Sequence, residues 1–515
     1  MNRKYFAICL LTLTTVWTFY ACNKSFLDRK PIGQYTMETY YTDSTHALAG
    51  LVGVYDVIGW AATFDRMFWD LGDGATDDSP FGLQRDDGSP PYVGITPIPD
   101  YTNVKYAELS PAMQRLYQGH YEGIYRANLF ISQLGKSVVS ESVKNRFIAE
   151  SKSLRALHYF MLVNYYGAVP LYTEPLDPLD PKTKQLVRSA PDVVYAQIEK
   201  DLTEAIPYLP TKAQTISESM LGRITIGAGN ALLAKVYLFE KKYPQAVSAA
   251  QEVINGGEYD LNHDYHANFI QSAANGIESV LEIQHNDNST TDNGGGWSSD
   301  AFDGSSTPVE VQCGGWGQNA PSSDLYSIFE AGDIRRQYTC PTSTDVIDGV
   351  TMCGTPAQPS MGKHIVVGTD ASLLPRPDVV PLNWVLIRYA EVLLIKAEAL
   401  AAETSGSAPA DAITELIKVR DRAGLTSPTV SDFSSYSAED LLRFTRLERR
   451  KELGMEAWRL FDLRRYGTDS LRNALIRVGK INSTDRPWDD KYLLYPIPQS
   501  EIDLSGGAVT QTPGY

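Results

Sequence analysis

The sequence contains no HExxH, no Walker A loop, no GxSxG elbow and no CxxC pair anywhere in its 515 residues. Zinc hydrolases, phosphate-loop NTPases, serine hydrolases and Cys-based zinc sites are recognised by those spacings, so none is indicated. One SxxK match, Ser360–Lys363, stands without its partner motifs, and chance explains it. Basic residues are short: 46 Lys and Arg face 62 Asp and Glu, a formal net charge of −16, and no Lys/Arg cluster offers a phosphate track. That balance argues against nucleic acid as a partner. Long apolar runs are missing beyond the N-terminus. Residues 384–402 come nearest, but Arg388, Glu391, Lys396 and Glu398 interrupt them, so they cannot span a bilayer.

Cysteine is scarce too, with five in the chain. Two lie at the N-terminus. Arg3 and Lys4 precede a mostly apolar segment, Tyr5 to Tyr20, of signal-peptide length, and Ala21 then meets Cys22. Residues 1–21 therefore read as a signal peptide and Cys22 as a lipidated thiol, with Phe19 where lipoprotein signals usually carry Leu. Such a chain is anchored to a membrane, not threaded through it. Cys313, Cys340 and Cys353 remain, an odd number for an exported protein. Cys340 and Cys353, close together in a Pro/Thr/Gly-rich loop, are the favoured disulfide, worth about 3 kcal/mol in the chain-entropy model. Pairings with Cys313 stay open. No nearby His pattern accompanies the cysteines, so no metal site is expected.

What the chain does have is helix. Hydrophobic residues make up 43% and aromatics 10%, enough for a large core. A helix apolar nearly all round opens at Trp384 and runs to about Leu400, which places it at the centre of a bundle. A second follows over 411–423, stopped by Gly424. A third begins at Ser437, with Asp440 completing a capping box, and extends to about Arg465. Its polar side, Arg449, Glu452, Glu456, Arg459, Asp462 and Arg465, reads as a ladder of mutually neutralising charges. Earlier helices are expected over 37–58, 113–134, 143–166 and 191–208. Residues 222–255 look like one tetratricopeptide unit, with Ala234 and Ala246 small enough for close helix approach. The fold class is therefore all-α: degenerate tetratricopeptide-type helix pairs forming a superhelical scaffold, with long irregular loops and a few short strands, among them "SVLEIQH".

Several stretches resemble the SusD/RagB family of outer-membrane nutrient-binding lipoproteins. They are "VLIRYAEVLLIKAEAL", "IKVRDRAGL", "LERRKELGMEAWRLFDLRRYG", "LYPIPQSEIDL" and the chain end "TQTPGY", with "IYRANLFISQL", "AESKSLRALHYFMLVNYYGAVPLY" and "FLDRKPIGQYT" earlier. The resemblance covers almost the whole chain after residue 21. It implies an N-terminal region over 22–225 and a C-terminal region over 226–515, forming one compact unit. It also implies attachment to the outer membrane through lipid on Cys22, facing the outside of the cell. The implied partners are a SusC-like TonB-dependent transporter and a glycan or, in some members, a peptide.

Two irregular stretches, 60–106 and 262–378, mix Gly, Pro and Asp with aromatics and are too long to be mere connectors. A glycan receptor needs flat rings for sugar C–H faces and polar side chains for hydroxyls. The candidates are Trp69, Phe81 and Tyr92 with Asp73, Asp77 and Asp78 in the first stretch. The second supplies Trp297, Trp316 and Tyr326 with Gln318, Asn319 and Arg335. Glycines flank Trp297 and Trp316, which favours exposed rings. Trp384, Trp458 and His158 are assigned to packing. The acidic run lacks the twelve-residue calcium-loop spacing, so no cofactor is expected. The competing class is a secreted glycoside hydrolase using carboxylates such as Asp77 and Asp303, but no acid–base pair is evident.

Overall fold

The computed structural model describes residues 40–64, 66–80, 111–177, 180, 186–285, 319–363, 382–484 and 487–515. Helix α1, Ser44–Tyr55, starts at Asp43, whose carboxylate accepts the amides of Thr45 and His46. There follow α2 (Pro111–Gly135), α3 (Glu141–Tyr166), α4 (Pro191–Ala205), α5 (Ile226–Phe239) and α6 (Tyr243–Gly256). The C-terminal part adds α7 (Tyr389–Glu403), α8 (Ala410–Arg422), α9 (Ala438–Leu453), α10 (Arg459–Tyr466) and α11 (Thr468–Arg477). Each helix packs on the next, α2 on α3 through α5 on α6, and α6 then packs on α7, which also meets α8 and α9. Ala234 and Ala246 are fully buried where α5 and α6 meet, as expected of a tetratricopeptide unit. The result is the expected all-α superhelix of helix pairs. One continuous apolar cluster runs through it from Ala47 to Val509. No helix among the described residues is long and apolar enough to cross a membrane.

Two elements differ from the sequence expectation. Residues Trp384–Arg388 are a strand, β2, not the first turns of α7. They pair antiparallel with β1, Ser279–Ile283, and both strands are buried along their whole length. A short apolar run such as Trp384–Ile387 satisfies a buried strand as well as a helix, and here the partner strand decides. The third C-terminal helix is also broken: α9 stops at Leu453 and α10 starts at Arg459. Between them Met455 and Ala457 adopt positive φ of 64° and 65°. Such values are costly for residues with a side chain. Both oxygens of the Asp73 carboxylate accept the Ala457 amide, at 3.1 and 3.0 Å, and stabilise the turn. Gly72 is needed against it, since a Cβ there would lie 1.9 Å from the Ala457 carbonyl oxygen.

The break redirects the charges. The expected ladder along one helix is instead a buried network between elements. Arg388 donates to Glu278 at 2.6 Å, to Glu452 at 2.8 Å and to Glu456 at 2.9 and 2.8 Å. Glu452 also receives Arg335 and Arg422, and Glu456 receives Lys363 at 2.6 Å. On the other side Arg449 and Arg465 share Asp462, and Arg465 pairs with Glu398. Burial alone would raise the Glu452 carboxyl, but Arg422, Arg388 and Arg335 hold it far below its ordinary range. Removing one member strands the others in the interior. Glu452→Ala should cost about 3–5 kcal/mol in urea unfolding. Leu447→Ala, 39% exposed on the same helix, should cost under about 0.5 kcal/mol.

Candidate functional site

The two irregular stretches meet at one end of each. The first, expected to be irregular from residue 60, contains a short helix, Arg66–Gly72, and continues as the stem 73–80. The second returns to described chain at Asn319. The Ser322 amide donates to the Asp78 carbonyl at 2.7 Å, and the Ser322 hydroxyl to the Asp77 carbonyl at 2.6 Å. Asn319 Nδ2 approaches Asp73 at 3.4 Å. A charge cluster fastens both stems to α9, α10 and α11. Arg459 clasps Asp77 with two bonds of 2.8 and 2.9 Å. Arg450 donates to Asp78 and to Asp324, both at 2.7 Å. Arg477 pairs with Asp77 and, at 2.7 Å, with Asp324.

This geometry corrects several candidates. Trp69 is 1% exposed, in the core beside Phe68, so it cannot stack on a ligand. Asp73 is fully buried against the 454–457 turn, and burial next to Asp78 pushes its pKa well up. Asp77 and Asp78 are buried ion-pair partners, not hydroxyl acceptors. Arg335 is sealed among Asp333, Glu448 and Glu452. Asn319 is also buried. Tyr326 is half-buried on a small apolar cluster that includes Leu325 and Met455, with Arg336 over its ring at 5.6 Å. Phe81, Tyr92, Trp297, Trp316 and Gln318 lie outside the described residues, as do Cys22 and Asp303. The stem residues that sequence reasoning missed are Arg450, Arg459, Arg477 and Asp324. Their signal was the presence of guanidinium groups in number to match the Asp run.

Three carboxylates, Asp77, Asp78 and Asp324, meet three guanidinium groups. Asp77 cannot serve as a catalytic acid. Burial would raise its pKa, but Arg459, Arg450 and Arg477 hold it well below the carboxylate range and keep it ionised. The SxxK serine donates to the Cys353 carbonyl at 2.9 Å, and its lysine is the one bound to Glu456. The favoured disulfide is overturned. Cys340 is a free, buried thiol, while Cys353 is disulfide-bonded to a cysteine outside the described residues. Trp384, Trp458 and His158 are core residues as expected, and the Trp458 indole donates to the Leu386 carbonyl at 3.1 Å.

Comparison with known proteins gives a consistent picture. Residues 380–515 match the model described as "SusD family", and residues 100–238 match "Starch-binding associating with outer membrane". A SusD-like protein of Bacteroides ovatus is 26% identical over 478 residues, covering 88% of this chain and 81% of that protein. The structure of a laminarin-binding SusD-like protein superposes with a TM-score of 0.74 at 31% identity, over 92% of this chain and all of that one. Surface glycan-binding protein A of Bacteroides thetaiotaomicron, in complex with laminarihexaose, shares the fold: TM-score 0.68, 22% identity, 92% of this chain and 100% of that one.

The ion pairs set a pH dependence. The folded pKa of Asp77 lies below its ordinary value of 3.8. Its contribution to stability is therefore fully present above that value and is lost as pH falls through the folded pKa. Asp324 shifts in the same direction, and Asp73 in the opposite one. Asp77→Asn should cost about 3–5 kcal/mol near pH 6 because it strands buried guanidinium groups. In urea unfolding from about pH 6 to about pH 2, that deficit should narrow on the acid side, because only the wild type loses the carboxylate's contribution.

Proposed function

The chain belongs to the SusD family, and on that premise we propose that it is a cell-surface lipoprotein that captures oligosaccharide and passes it to a TonB-dependent transporter. The observation that carries the reading is the meeting of the two stems. Ser322 is bonded to Asp77 and Asp78, so one end of each aromatic-rich insert is anchored at the same junction, which supports a single ligand site. The frame itself has little to offer a sugar. Its charges are consumed in internal pairs such as Arg388–Glu452 and Arg449–Asp462.

Contact then falls to the inserts, with Trp297 and Trp316 as the stacking candidates and Phe81, Tyr92 and Gln318 as further candidates. The half-buried Tyr326 sits near the second stem. Binding is separate from catalysis in this reading, because Asp77, Asp78 and Asp324 are locked in ion pairs. A lipid on Cys22 tethers the whole to the outer membrane. The ligand class to test first is laminarin, the ligand of the relative that is 31% identical.

Calorimetry with laminarihexaose, backed by a glycan array, tests this. Micromolar to millimolar affinity is expected, about 4–8 kcal/mol, as suits a receptor that must release its cargo. No reducing sugar should be released. Trp316→Ala should weaken binding about tenfold or more, through loss of a stacking surface. Sugar turnover by the purified protein, or binding confined to peptides, would overturn the reading.

A further inference from the structure

His120 on α2 and His158 on α3 face each other in the core, and both are fully buried. Their Nδ1 atoms lie 3.1 Å apart, so one imidazole donates its proton to the other across the α2–α3 contact. Among the described residues neither Nε2 has a hydrogen-bond partner. The two ε nitrogens are not equivalent. A Cβ on Gly123 would stand 2.1 Å from the His158 Nε2, so that nitrogen is pressed against the α2 backbone, where an N–H would have neither room nor acceptor. The His120 ring instead has aromatic neighbours, Phe64 perpendicular to it at 5.3 Å and Tyr165 at 6.1 Å, against which an N–H can lie. One pair of tautomers fits. His158 carries its proton on Nδ1 and donates it to the Nδ1 lone pair of His120, which carries its own proton on Nε2.

A third proton has no place. On the His120 Nδ1 it would set two N–H groups head-on across 3.1 Å, and on the His158 Nε2 it would point at Gly123. No counter-charge compensates: among the described residues no carboxylate, ammonium or guanidinium faces either ring. The buried side of α1, which packs on both helices, is Ala47, Leu51 and Val54. On α3 itself Glu150 is committed to Arg223 and Tyr55, and Arg155 to Asp201 of α4. Thr63 spends its hydroxyl on the Val57 and Trp60 carbonyls, and α10 presents Phe461 to Tyr165. Burial holds His158 down at about 3 and His120, with His158 beside it, well below the ordinary 6.5.

We propose that His120 and His158 are an acid-sensitive lock in the fold: the neutral pair joins α2 to α3 through one hydrogen bond, and uptake of a further proton opens that packing together with the Phe64 segment set against both rings. Linkage fixes the sign. The opened chain binds a proton on each imidazole below the ordinary value of 6.5, and the closed chain does not. The pair's contribution to stability is therefore fully present above that value and is lost as pH falls below it, toward the folded values. Each excluded proton favours opening about tenfold per pH unit in that window, so the pair together gives about a hundredfold.

The test uses the full mature protein and two readouts. Imidazole nitrogen NMR on histidine-labelled wild type should find both rings neutral from about pH 7 to about pH 4.5, with the proton of His158 on Nδ1 and that of His120 on Nε2. Hydrogen exchange, corrected for its intrinsic pH dependence, is read on α2, α3 and residues 57–64. Relative to the double variant His120→Asn/His158→Asn, the wild-type opening constant there should climb about a hundredfold per pH unit between about pH 5.5 and about pH 4.5. His158→Asn, which keeps an amide near the Nδ1 position, should climb about tenfold per unit on the same scale. Carboxylates that titrate in this range are common to all the proteins and cancel in the comparison. His263→Asn, at an exposed histidine, should match the wild type. A ring that protonates near its ordinary 6.5 in the folded protein overturns the lock, and so does a climb as steep in His158→Asn as in the wild type. The NMR arm needs no variant, so it decides the matter even where a substituted core does not fold.

Discussion

Ionised groups taken out of water must be paired, and that constraint shapes the region where the two stems meet the helical frame. Arg388, Glu452 and Glu456 are all buried, and each is satisfied only by partners from other segments. Glu456 can reach Arg388 and Lys363 because the chain leaves helical geometry at Gly454. The same departure turns the Ala457 amide toward Asp73, at the root of the first stem. The backbone strain at Met455 and Ala457 is thus tied to the network beneath and the stem above. Without the turn, Arg459 would not be presented to Asp77, and the stems would lose their shared anchor. A frame that neutralises itself and a shared anchor for the two stems are consequences of the same arrangement.

The helical frame was legible in the sequence because its signals are local. Apolar periodicity, the Ser437 cap on α9 and the glycine stops after α3 and α8 all act within a few residues. The departures came from partners far along the chain. Strand β2 is a strand because Ser279–Ile283 lies against it, about a hundred residues earlier. The α9–α10 break sits in a sequence, "LGMEAW", with one glycine and otherwise good helix formers; Asp73 and Gly72 impose it from outside. The charge ladder held only in part, with Arg449 and Arg465 both paired to Asp462, and departed elsewhere for the same reason. Spacing of three and four residues identified charges able to neutralise one another, yet Arg459 bonds Asp77 and Glu452 bonds Arg388.

Site residues were less legible than the fold. Asp73, Asp77 and Asp78 sit in a Gly- and Asp-rich segment that reads as exposed loop, and Trp69 looks like an aromatic offered to solvent. Asp77 and Asp78 are buried against arginines on α9, α10 and α11, Asp73 against the Ala457 amide, and Trp69 in the apolar core. Composition shows that acids and bases are both available; it does not show which pairs close. Cys340 and Cys353 teach the same point: proximity in sequence did not select the disulfide.

The account comes down to one place on the molecule. A crystal structure of the mature protein with laminarihexaose tests it most directly. The expected result is sugar lying against the inserts beyond the Asp77–Asp324 junction, with both inserts in contact and the stem ion pairs intact. Sugar bound instead on the helical frame, or touching one insert with the Arg450 and Arg477 bridges open, would contradict it.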